Sequence, residues 1–276
     1  MNPTAKPHRR KWLMSGGLLA SAFIGALVYL AVWGKGLPYS PIIIGFDRHE
    51  LDHLVIYMEK GGPAAAYDWA DRLVRDVEDF HELHFRSKPA LFFYRKAATY
   101  ARRSPSKARL CACYNGAIVV SPWVQQEDAE GILSLRIYLA HELSHALLFQ
   151  NMGLRAKLRF PRWLLEGLAT CSAGQMGSFI YPSRPATLAL IRAGNWMPPE
   201  TFGTTDEDQV PLDVPERMPF IYSEFACIVD DLIATHGRDR FLRYVKRLMV
   251  ESDHDAVFRS AFQIDFDVCL DRFRSK

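Results

Sequence analysis

Residues 141–145 read His141-Glu142-Leu143-Ser144-His145. On an α-helix, positions four apart differ by about 40° around the axis, so His141 and His145 project from one face. Two imidazoles so placed can each give one ring nitrogen to a single metal ion, at about 2.0–2.1 Å for Zn²⁺. Glu142, beside the first histidine, can reach a water on that metal and take its proton. With 9 histidines in 276 residues, independent draws yield only about 0.014 such matches per chain. Coincidence is therefore a poor account of the pentapeptide.

Such a centre needs a third donor. A three-histidine site of the metzincin kind would carry glycine at 148 and histidine at 151, where this chain has Leu148 and Asn151. The other solution is a glutamate from the next helix. Phe160-Pro161-Arg162-Trp163-Leu164-Leu165-Glu166-Gly167-Leu168-Ala169 supplies one, flanked by Leu164, Leu165 and Leu168. A carboxylate in that apolar setting calls for a cationic partner, and a metal ion is one. Glu224 is a more distant competitor, set aside because its spacing is longer.

HELSH followed by WLLEGLA resembles the gluzincin branch of the zinc metallopeptidases, and within it the peptidase-MA-like group. Those two segments are specific, and a weaker pattern-level similarity extends over residues 40–275. The resemblance implies an α+β, zincin-like single catalytic domain. Its parts would be a small N-terminal mixed sheet, an active-site helix and a helical C-terminal half. It implies one Zn²⁺ per chain held by His141, His145 and Glu166, with Glu142 as general base toward the zinc-bound water and a peptide or protein as substrate. Tyr222 falls where such families carry the hydroxyl that stabilises the oxyanion, and His236 is the alternative. The second hairpin strand, Ala117–Ser121, resembles the edge strand against which an extended substrate is laid. A catalytically silent zincin-fold scaffold at the cell envelope is the rival function, and retention of Glu142 argues against it.

The elements that must position these residues are readable in outline. Ala66, Trp69, Ala70, Leu73, Val77 and Phe80 fall at the spacing of one helical face. Ile42-Ile43-Ile44 and residues 89–94 read as strands. Asn115-Gly116 between apolar runs predicts a two-residue hairpin with positive φ at both central positions. Helices are expected up to Gly153, from Pro161 to Gly174, and from Tyr222 to the end with a break at His236-Gly237. Residues 195–219, with five prolines and the acidic triplet Asp206-Glu207-Asp208, read as a long loop.

The N-terminus reads as an address. Leu13–Trp33 is an uncharged apolar run of 21 residues, about 31 Å long as a helix and so sufficient for a bilayer core. Four basic residues precede it, which predicts a cytoplasmic tail over 1–11, an uncleaved signal anchor over 12–34, and a zincin domain over 35–276 facing the periplasm from a bacterial inner membrane. The overall charge is +3, and removing the four cations of the tail leaves the body near −1, poor material for a nucleic-acid binder. Residues 95–109 hold six cations and no acid, read as a solvated surface or a contact for anionic lipid. The five cysteines include no C-x-x-C pair and leave the disulfide pattern open. His49, His53, His81, His84 and His254 share no spacing with the pair, and His81 and His84, three apart at the end of a charged helix, read as surface residues.

Overall fold

The computed structural model describes residues 21, 23–203 and 209–276. The expected basic tail, residues 12–20 and 22 of the expected anchor, and the acidic triplet 206–208 lie outside the described residues. Within the rest of the anchor run, residues 23–32 are helical. Among the described residues no helix is long and apolar enough to cross a membrane.

The chain is mixed α+β. Strands β1 (Phe46–Glu50), β2 (Val55–Glu59), β3 (Ala90–Phe93), β4 (Leu110–Ala112) and β5 (Ile118–Val120) form a five-stranded sheet in the order β1-β2-β3-β5-β4. The β2–β3 and β3–β5 pairs are parallel, whereas the β1–β2 and β4–β5 pairs are antiparallel. Side chains alternate across the strands, so the sheet buries both faces. Ile56, Met58, Leu91, Phe93, Ile118 and Val120 pack against helices α1 (Ala70–His81) and α4 (Leu135–Asn151). Phe46, Phe92, Tyr94 and Val119 pack on the other face with Leu37 and with Tyr100 of α2 (Ala97–Arg103).

The hairpin lies where Asn115-Gly116 places it, with a different turn. Gly116 N–H donates to Cys113 O at 2.8 Å and Cys113 N–H to Ala117 O at 2.7 Å. Gly116 has φ +86° and Asn115 is not in the positive-φ region. A single left-handed glycine at a bulge therefore closes the loop, instead of two residues of positive φ.

Three other expectations are corrected. Ile42–Ile44 is not a strand: Ile42 and Ile44 are exposed, and pairing starts at Phe46. Ala117–Ser121 is not the sheet edge, because β5 lies between β3 and β4. The edge is β4, the first strand of the hairpin; alternation shows which face a strand buries, not which neighbours it has. The run 95–109 is only partly a free surface. Arg103 is buried, its Nη2 donating to Val32 O at 2.7 Å and Ile44 O at 2.8 Å, while Arg109 pairs with Glu127.

After α3 (Pro122–Ala129) and α4, the described regular elements are all helices: α5 (Leu154–Arg159), α6 (Arg162–Ser172), α7 (Arg184–Arg192), α8 (Arg217–His236), which starts within the expected 195–219 loop, α9 (Arg238–Leu248), α10 (His254–Phe262) and α11 (Phe266–Arg274). A second core forms among them, centred on Leu164, Leu168, Phe220, Phe225 and Val229. Helices α6 and α8 cross closely at Gly167, where a β-carbon would lie 2.7 Å from Phe225 O. All five cysteines are free thiols.

Candidate metal centre

Helix α4 is amphipathic in an unusual sense, with both long faces covered. Ser134 caps it by accepting from Ile137 N–H, and Leu139, Leu143 and Leu147 face the sheet. His141 and His145 occupy the opposite side, toward the helical half. Helix α6 brings Glu166 against them.

The three donors converge. His141 Nε2 and His145 Nε2 are 3.0 Å apart, and Glu166 Oε2 lies 3.3 Å from the first and 3.4 Å from the second. Donors at about 2.0–2.1 Å from a tetrahedral ion are separated by about 3.3 Å, so these spacings match three vertices of such a shell. The side chains are 7%, 9% and 12% exposed. This buried group can hold a metal ion, and among the described residues no other cluster of three such side chains does so.

Electrostatics favour a cation here. Burial pushes the Glu166 carboxyl up, but His145 and His141 beside it overrule burial and hold it far below the ordinary range. Burial likewise pulls His145 down, and Glu166 raises it above its ordinary 6.5.

The surroundings set the donor atoms. Gln175 Oε1 accepts from His141 Nδ1–H at 2.8 Å, which leaves the Nε2 lone pair directed at Glu166 and His145. Gln175 is 1% exposed and follows the end of α6, where no local motif marks it. Ser144, between the two histidines, is 2.8 Å from His81 Nε2. His81 is thus a core residue and not a surface one, with burial pulling its pKa down to about 3. Its placement depends on α1 crossing α4, which is invisible in local sequence.

Glu142 lies one step around the helix, and its Oε2 accepts from Ala112 N–H of β4 at 2.7 Å. Tyr222 of α8 stacks on the His141 ring at 5.9 Å and 16°. Burial, followed by Glu166, keeps its hydroxyl protonated well above the ordinary tyrosine range. His141, Glu142, His145, Glu166 and Tyr222 all line one cleft of about 700 Å³, together with residues of β4 and Tyr181.

The alternatives fall elsewhere. Glu224 is fully buried, and its Oε2 accepts from Met197 N–H at 3.2 Å. His236 packs against Phe262 with their rings tilted by 41°, at the end of α8 and outside the cleft. No known family model matches the chain, and no curated protein matches it.

Proposed function

We propose that this chain is a membrane-anchored zinc metallopeptidase of the gluzincin type, built on a zincin-like domain. The observation that carries this reading is the 3.0–3.4 Å spacing of the His141, His145 and Glu166 donors, with Glu142 beside them in the same cleft. A zinc ion bound there would supply Lewis acidity toward a scissile carbonyl and acidify a water molecule.

The protein's own groups do the rest. Glu142 has one oxygen tied to Ala112 N–H, which aims the carboxylate and leaves Oε1 to accept a proton from the attacking water. The same carboxylate then delivers that proton to the departing amine. Tyr222, kept protonated by its burial, donates its hydroxyl hydrogen to the developing oxyanion. Gln175 holds His141 in the tautomer a metal ligand requires. The outer edge of β4 lines the cleft; Glu142 takes its Ala112 N–H, and its remaining backbone groups would be open to an extended peptide adding as a further strand. The 21-residue apolar run Leu13–Trp33 would hold this domain at the membrane surface.

The test is Glu142→Gln in the full-length chain, assayed on a peptide library. The variant should keep its zinc and lose about 10²–10⁴-fold in turnover. Full activity in that variant would end the peptidase reading.

A further inference from the structure

We propose that helix α5, with the hairpin turn beside it, is a lipid-docking face that lies against the anionic headgroups of the membrane holding the N-terminal run. The inference rests on the anchor reading and is independent of peptidase activity.

Helix α5 repeats Leu-Arg at a four-residue spacing: Leu154-Arg155 and Leu158-Arg159. Ala156 and Phe160 are buried, so the repeat is driven outward. Leu154 and Leu158 are each 67% exposed, among the most exposed large apolar side chains described. From Met152 to Leu165 the chain has Arg155, Lys157, Arg159 and Arg162 and no acid. Two bare leucines among cations suit a surface that is apolar inside and anionic at its rim, where the stems sink and the charges meet phosphate.

Contacts tie this face to the end of the apolar run. Lys157 Nζ donates to Tyr114 O at 2.6 Å. In the same turn, Asn115 Nδ2 donates to Pro38 O at 2.8 Å. Tyr39 meets Cys113 and the backbone of Tyr114 through its hydroxyl. Tyr39 and Tyr114 are 49% and 46% exposed, as is usual for aromatic residues at a membrane interface. Arg103 closes the joint by gripping Val32 O and Ile44 O. The domain is thus clamped to Val32 at the end of the apolar run, and Lys157 of α5 is joined to the hairpin turn that holds Pro38 and Tyr39 just beyond it. Beyond Leu158 and Arg159 a cavity of about 400 Å³ is lined also by Glu200 and Asp255, and these acids mark where the lipid-facing surface stops.

The experiment uses the full-length chain in nanodiscs of phosphatidylcholine alone or mixed with phosphatidylglycerol. Amide hydrogen exchange is followed over residues 153–160 and 113–117. Each cation at an anionic surface contributes a factor of roughly five, so two contribute roughly 25-fold. Residues 153–160 should exchange at least about threefold more slowly in the anionic discs. Arg155→Gln with Arg159→Gln should erase that difference, and Leu154→Gln with Leu158→Gln should raise exchange in both discs. Both pairs lie on the surface, and unchanged exchange in α4 checks their fold. Equal exchange in the two discs, unmoved by either pair, would overturn the lipid face. A chain that separates from the discs on gel filtration would overturn the anchor reading, and the lipid face with it. Peptidase assay of the same samples reports separately on the function.

Discussion

Glu166 and Glu224 sit on the two helices that cross at Gly167, both largely removed from water, and burial has opposite outcomes for them. Two imidazoles face Glu166 and, against the cost of desolvation, hold its carboxyl far below the ordinary range. Glu224 has one backbone amide, from Met197, and a second oxygen with no partner among the described residues. Burial dominates there and drives its pKa well above the ordinary carboxylate range. The same residue type is thus pushed toward the ionised form in one place and toward the neutral form in the other. What distinguishes a ligand from a buried acid is the convergence of lone pairs, not burial.

The comparison breaks most visibly on removal of the charge. Glu166→Gln should lower zinc affinity by about 10³-fold or more, because a direct donor is lost. Glu224→Gln, which swaps a neutral acid for its neutral amide, should leave affinity within about twofold, the residue lying outside the donor set. Competition with a fluorescent chelator measures both. Equal effects from the two variants would show that burial alone had been mistaken for a site.

A smaller effect is expected one bond further out. Gln175→Ala should cost about 10–100-fold in zinc affinity, since His141 would lose the partner that fixes its tautomer. Acid should act comparably. His145 must be unprotonated to bind, and its pKa is raised above 6.5. Affinity should therefore be full above that raised pKa and fall about tenfold per unit below it.

Metal-free stability runs the other way. The raised His145 pKa contributes stability that is complete below 6.5, its unfolded value, and lost as pH rises through the folded value. Glu166, with its depressed pKa, contributes above its ordinary 4.5 and loses that contribution only in stronger acid. The stabilisation given by added zinc should therefore grow as pH rises from below 6.5 through the raised His145 pKa in thermal unfolding. A gap that shrinks with rising pH would contradict the proton-for-metal exchange.

The least dramatic change is Gly167→Ala. Its new methyl group meets Phe225 O and should cost about 1–3 kcal/mol by prying α6 from α8. Because Glu166 and Tyr222 ride on those helices, zinc affinity should weaken with it, by a few-fold on titration.

These differences also explain what the amino-acid sequence discloses. His141, Glu142 and His145 are legible because a helix converts a four-residue spacing into a shared face with no help from the rest of the fold. Glu166 is legible through a mismatch, a carboxylate among leucines. Tyr222 follows only from the family resemblance, since nothing local sets it apart from a packing tyrosine. Gln175 and His81 are illegible: each reaches the centre through the crossing of two helices. The sheet divides similarly. Asn115-Gly116 marks its turn through the backbone freedom of one glycine, but the choice of β4 over β5 as the edge is made by long-range pairing. Ile42–Ile44 misleads because an apolar triplet reads as buried, whereas here two of its members face outward beside the end of the apolar N-terminal run.

The most direct measurement is the metal content of the purified full-length chain by mass spectrometry, followed by zinc titration of the chelator-treated protein. The account requires one zinc per chain, taken up again on titration with proton release near neutral pH. A folded chain that carries no metal and binds none on titration would contradict it.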